Sequence, residues 1–253
     1  MRYAIALLVM GLGACSQASP ESEPSELAST AQALSVQDFD VDFEDCNVFA
    51  GLAHVSGARA RALVPPAYAL ALDGDQARMV VRVVHCSNVV VDGRSQGSTV
   101  ISHIGVGLVG PDTTVSLNNF TLWYATNSPL LHAKLTAAGV NADQSGFLAV
   151  GVQGALTVSS QSPHTPSFEV SGSVMPPGAP VPTSASWWDD GVHGAVRSRT
   201  VLPVIQFGVA HTSLSTPPDS ALAELIGGPT LTFDILDSYN VFPTGHMEVR
   251  ASD

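Results

Sequence analysis

Four side chains that could do chemistry stand close together in the stretch Leu117 to Asn141, LNNFTLWYATNSPLLHAKLTAAGVN: Trp123, Tyr124, His132 and Lys134. Lys134 is the only lysine in the chain. A lysine that forms an imine must be neutral near pH 7, which requires burial or a cationic neighbour. No second cation stands beside Lys134 in the sequence.

Three other patterns bear on a site. Trp187-Trp188-Asp189-Asp190-Gly191 places two indoles on adjacent strand positions, which point to opposite faces. One of them can line a cavity while the other packs outside; equally, the pair can anchor the core before an Asp-Gly turn. Arg197 and Arg199 flank Ser198 and so share a face, from which they could bind a carboxylate inside a barrel or simply face solvent. His103, His132, His193 and His211 show no i, i+4 pairing of the kind that binds zinc. Each reads as a hydrogen-bonded strand histidine, and no metal or cofactor site is expected. A serine hydrolase is disfavoured, because a β-rich domain lacks the strand-to-helix turn on which a nucleophile elbow is built.

The local elements that carry these residues are legible. Leu117, Phe120, Leu122 and Tyr124 mark a strand that ends at Asn127-Ser128-Pro129. Ser128 is a plausible N-cap, Pro129 suits the first helical position, and Gly139 closes the helix. Leu131, Leu135 and Ala138 recur at helical spacing and give it one buried face.

The whole chain has 253 residues, with only 13% charged, and is rich in Val, Thr, Ser and Gly. That composition favours a mostly β domain with buried strands. The net charge of -12, with nine Arg and one Lys, excludes a basic nucleic-acid-binding surface. Eight of the 22 acidic residues lie between Glu21 and Asp45, so much of the charge belongs to the N-terminal segment.

Residues 1–14 have the make-up of a secretory signal: Arg2, then a short apolar run too short to span a bilayer. Leu12-Gly13-Ala14-Cys15 resembles a bacterial lipobox, which predicts lipid attachment at Cys15, and Ser16 after it points to the outer membrane. Residues 15–40, rich in Ser, Pro, Ala and Glu, read as a disordered tether, leaving 41–253 as one domain. With Cys15 lipidated, Cys46 and Cys86 remain as partners for one disulfide.

Strand-like runs at 48–55, 79–84, 88–91, 98–108, 147–158, 167–174, 192–196, 204–210 and 231–237 are separated by turn signals such as Asp92-Gly93. Short helices are expected at 58–63 and 220–226. Gly105 and Gly107 inside a strand suggest a bulge or a close backbone approach. Nine to twelve strands with two or three helices fit an antiparallel barrel or cone around a cavity, with a β-sandwich as the alternative.

Several segments, in order, resemble the acetoacetate decarboxylase family. Ala58 to Leu70, ARARALVPPAYAL, is similar to its short helix and turn into the first barrel strand. Arg78 to Gly93 is similar to the next hairpin, Phe120 to Leu135 to the strand, N-P turn and active-site helix, and Val201 to Leu236 to the C-terminal unit. The resemblance implies a barrel with a cavity and a lysine that forms a Schiff base with a β-keto acid. Laid onto this chain, the family's Arg and Glu fall on Ala133 and Lys134, and its lysine pair on Val140 and Asn141. None of the four is retained.

The expectation is therefore a lipid-anchored envelope protein that binds a small, partly apolar ligand in the barrel, lined by some of Trp123, Tyr124, His132, Lys134, Trp187 and Arg197. The alternatives are a lyase or hydrolase acting on a carbonyl compound, and an envelope interaction protein with no cavity function. Oligomeric state is not legible in the sequence.

Overall fold

The computed structural model describes residues 38–145, 147–152, 155–191 and 194–251. In chain order the elements are β1 (Phe39–Ser56), α1 (Gly57–Leu63), β2 (Leu72–Asp73), β3 (Gln76–Val91), β4 (Arg94–Ser95), β5 (Thr99–Gly107), β6 (Leu117–Thr126), α2 (Pro129–Ala138) and β7 (Ala142–Gln144). There follow β8 (Phe147–Val152), β9 (Leu156–Gln161), β10 (Phe168–Val174), β11 (Pro180–Gly191), β12 (Gly194–Phe207), β13 (Ala210–Ser215), α3 (Ala221–Ile226), β14 (Thr230–Thr232) and β15 (Leu236–Ala251).

Seven strands close a barrel in the order β1-β15-β12-β11-β6-β5-β3 and back to β1. The expected barrel is present, and the sandwich alternative fails because β1 pairs with both β15 and β3. One feature differs from an antiparallel barrel: β11 and β7 both run parallel to β6. Parallel neighbours need a long crossover, and for β11 the chain from 127 to 179 supplies it with α2 and three strands of a second sheet. That sheet, in the order β14-β13-β10-β9-β8, shares a buried core with the outer faces of β1, β3 and β5.

The barrel's longest ladders join strands the sequence shows only in part. The apolar runs at 79–84 and 88–91 are one strand, β3. The last strand was expected at 231–237, but β14 stops at Thr232 and β15 runs on from Leu236 to Ala251. Residues 238–251 carry Ser, Asn, Thr, His and Glu among their apolar positions, which hides a strand buried on one face. Turn chemistry was the more reliable guide. At Asp92-Gly93 both residues have positive φ, 46° and 74°, as a two-residue hairpin requires.

Cys46 and Cys86 face each other across the β1–β3 ladder and are joined as a disulfide. The bond ties the barrel's first strand to the strand that closes it.

α2 plugs one end of the barrel. Ser128 caps it by accepting from Leu131 N–H at 3.2 Å, and Gly139 ends it in the left-handed region at φ 95°. The helix contacts both β6 and β15, which lie three places apart around the barrel, so it crosses the barrel end. Leu131 and Leu135, both fully buried, join Val84, Ile101, Phe242 and Met247 in the core that fills this half. The opposite half is left with a cavity.

Candidate functional site

The cavity holds about 100 Å3 and opens at the end away from α2. Its walls are chiefly apolar: Val48, Ala50, Leu52, Val80, Ala185, Leu202, Ile205 and Leu236. Seven polar residues line it with them: Arg82, Asn119, Thr183, Ser184, Trp187, Thr200 and Asn240.

Arg82 is the unusual member. It sits opposite Ala50 on β1 and His103 on β5, enclosed by the barrel wall. Among the described residues its guanidinium has neither a carboxylate nor a hydrogen-bond acceptor. The residue retains accessible surface, and the cavity it lines accounts for this. Burial lowers its pKa from the ordinary arginine value, and the nearby Tyr124 opposes that shift. An arginine nevertheless stays protonated at neutral pH, so the cavity wall carries a positive charge.

Three further groups around the same cavity are buried without partners: Asn119 Oδ1, Trp187 Nε1 and Thr200 Oγ1. An unpaired buried polar group costs about 1–3 kcal/mol, and natural proteins carry few of them. Trp187 lies directly across from Asn119 on the parallel β6–β11 pair, and Thr200 lies across from Ala185, one interior position from Trp187. All three residues thus stand on the wall of one cavity, with their unpaired atoms buried in that wall.

Behind Trp187 lies a layer of titratable groups. His103 stacks on the indole with ring centroids 3.5 Å apart and planes at 20°, and its other side meets the Tyr124 ring at 4.7 Å. Gly105 makes room for this: a Cβ there would come within 2.7 Å of the indole and 2.2 Å of Phe120 O. The expected irregularity is present as a register shift between Ile104 and Gly105. His103 Nε2 is 2.9 Å from Thr121 Oγ1, and the Thr121 hydroxyl in turn bonds Asp189. Burial, then the Arg82 charge, hold His103 well below the usual histidine pKa, so it is neutral. Burial pushes the Asp189 carboxyl up to about 7 despite the Thr121 bond.

Asp189 and Thr121 also reach a second space. β6 pairs with β11 through residues 117–120 and with β7 through 124–126. Between them, Thr121 to Trp123 have no strand partner on that edge, which leaves a window in the barrel wall. A cleft of about 230 Å3 occupies it, lined by Thr121, Trp123, Asn141, Asp189 and Asp190 among others.

The structure separates the residues expected to line the barrel. Trp187 lines the cavity, and Tyr124 is buried in the layer behind it. Trp188 points outward and donates to Asn118 Oδ1 at 3.2 Å. Four expected members lie elsewhere. Trp123 borders the window cleft. His132 and Lys134 are on α2 at the plugged end, where Lys134 pairs with Asp92 at 2.6 Å. Arg197 is on the outer face, because Ser198 and Thr200 take the inward positions of β12. The carboxylate it meets is the protein's own Asp112, 3.4 Å away, which also accepts from Ser186 and Thr114. The four positions given by the family resemblance do not line the cavity either. Ala133 is exposed, Lys134 is paired, Val140 is in the lower core and Asn141 borders the window. His193 lies outside the described residues, and His211 is exposed on β13.

Asn119 and Thr200 carry no site signal in the sequence, and Asp189 is marked only by its place in the Trp187 to Gly191 run. Arg82 did leave a signal. It interrupts Met79-Val80-Val81-Arg82-Val83-Val84, a strand apolar on both faces, so its side chain is buried whichever way it points.

Comparison with solved structures places this architecture. An acetoacetate decarboxylase superposes with a TM-score of 0.58 at 9% identity, over 84% of this chain and 88% of its own. The acetoacetate decarboxylase of Legionella pneumophila gives 0.57 at 12% identity, over 84% and 87%. The enduracididine biosynthesis enzyme MppR, complexed with pyruvate, gives 0.53 at 13% identity, over 84% and 88%. No family model matches the sequence, and no curated protein matches it. The chain thus has the acetoacetate decarboxylase-like fold, a closed barrel around a cavity, and at these identities the likeness extends to the fold alone.

Proposed function

We propose that this protein is a lipid-anchored envelope protein whose barrel binds a small, partly apolar carboxylate, without Schiff-base decarboxylation. The observation that carries the reading is Arg82, a charged and unpartnered side chain on an otherwise largely apolar cavity, with Asn119, Trp187 and Thr200 unpaired around it. A carboxylate accepts from the guanidinium, the indole N–H and the Thr200 hydroxyl and neutralises the charge, whereas Asn119 Oδ1 can only accept. That MppR has the same fold and was complexed with pyruvate, itself a small carboxylate, is in keeping with this. The chain's one lysine lies at the opposite end of the barrel in an ion pair with Asp92, so no lysine amine reaches the cavity. Anchoring rests on the N-terminal sequence, the apolar run closed by Cys15.

An enzyme with altered chemistry is the second reading, favoured by the buried His103–Thr121–Asp189 chain. Against it, the Trp187 ring lies between His103 and the cavity, so the imidazole is not among the cavity's lining groups.

Calorimetric titration of the domain with propionate and butyrate tests the binding reading. We expect saturable binding, weakened at least tenfold by Arg82→Met, since a charge-assisted bond contributes about 1.5–3 kcal/mol. No binding to the folded domain, or equal binding by the variant, overturns it. Carbon dioxide release from a β-keto acid would favour the enzyme instead. Cys15→Ser tests the anchor: the protein should leave the membrane fraction, and retention there refutes lipid attachment.

A further inference from the structure

We infer that the ligand is an aliphatic monocarboxylate held head first, its carboxylate at Arg82 and its chain leaving through the barrel mouth past Leu236 and Phe207. This rests on the reading that the cavity takes a carboxylate and adds the ligand's shape and direction.

Strand register gives the depth of each group. Leu52 lies opposite both Leu236 and Val80 near the mouth. Arg82, opposite Ala50, is one interior position deeper, and Val48, opposite Val84 and Asn240, is deeper still. Below that level the plugged core begins, with Val84, Ile101 and Phe242. A carboxylate at Arg82 therefore has its open direction toward the mouth.

Volume sets the length. The cavity's 100 Å3 holds only about three or four groups of water size, at roughly 30 Å3 each. A carboxylate and one or two methylenes fill it, and any longer chain emerges. The wall it then meets is apolar. Leu236, opposite Leu52, lines the mouth, and Phe207 lines the cavity from the exposed end of β12; they stay 37% and 38% exposed, and neighbouring Ile235 is 40% exposed. Large apolar side chains at a cavity mouth lose exposed surface when a methylene chain lies over them.

Charge narrows the class further. Arg82 is the only charged side chain lining the cavity among the described residues; the other polar lining groups are neutral. Near the mouth stands Asp234, bonded to His54 Nδ1 at 2.9 Å beside the end of β1. A second carboxylate on the ligand would emerge close to Asp234. An amino acid would bring an ammonium beside Arg82 with no carboxylate to receive it. One anionic head and an apolar tail satisfy both ends.

The test is a titration series on the domain, from acetate to decanoate, with matched primary alcohols and α,ω-dicarboxylates. The dissociation constant should fall about fourfold per added methylene beyond butyrate, levelling once the chain clears the rim. Alcohols of equal length should bind at least tenfold more weakly, and dicarboxylates more weakly than monocarboxylates. Joint Leu236→Ser and Phe207→Ser substitution should reduce the chain-length slope. Affinity that peaks at propionate or butyrate and declines for longer acids, or equal affinity for dicarboxylates, overturns the inference while leaving carboxylate binding intact. Failure of every acid to bind overturns both.

Discussion

Trp187 and His103 form a stacked pair, with ring centroids 3.5 Å apart, that separates the cavity from the layer of titratable groups behind it. The indole N–H is buried without a partner, on a residue that lines the cavity. The imidazole is committed, by its Thr121 bond and by burial, to a neutral structural state.

Trp187→Phe should therefore keep an aromatic ring on His103 while deleting a donor from the cavity. We expect carboxylate affinity to fall about tenfold or more, in line with a hydrogen bond to a charged group. Ligand-induced change in tryptophan fluorescence should largely disappear with it, since Trp188 points out of the barrel. Unchanged affinity in this variant would mean that the indole N–H faces the cavity idly.

Asp189 gives the domain an unusual pH response. Its pKa in the folded protein is about 7 because of burial, above its value of 3.8 in an unfolded chain. The folded state thus holds this proton over a range in which the unfolded state has lost it. Its contribution is fully present below pH 3.8 and is lost as pH rises to about 7. A shift of that size corresponds to on the order of 4 kcal/mol. His103 acts in the opposite sense. Its folded pKa lies well below 6.5, so stability declines as pH falls through 6.5 and the unfolded histidine takes up a proton. Asp189→Asn should abolish the loss between pH 4 and pH 7 and leave the variant more stable than the parent at pH 8. Denaturant melts at four pH values read this directly, and identical pH slopes for the two proteins would refute the assignment.

The Cys46–Cys86 bond closes a loop with a sequence separation of 40 across the first barrel ladder. Loop-closure entropy predicts stabilisation of about 3–4 kcal/mol. The double variant Cys46→Ala with Cys86→Ala should lose roughly that much in a urea melt. Alkylation of native, non-reduced protein should leave both thiols unlabelled, and labelling of either one would show that the bond does not form.

Composition and local chemistry by themselves determined a great deal. Few charges and many β-branched residues made the domain mostly β. Asp92-Gly93, Ser128-Pro129 and Gly139 marked a hairpin and both ends of α2, because turns and caps depend on the residues that form them. Cys46 and Cys86 were paired by expecting Cys15 to carry lipid, and the structure joins them. Tertiary structure decided what faces what. Adjacent Trp187 and Trp188 had to point to opposite faces, but only barrel closure decides which face is inside. Arg197 and Arg199 share the outer face for that reason, and among the described arginines Arg82 alone lines the cavity. Lys134, the chain's one lysine, lies on a helix whose apolar face closes the barrel end, which turns its amine out toward Asp92. Side-chain types are local properties of the chain, whereas a shared cavity is made by strands distant in sequence, and its members become visible only when the sheet closes.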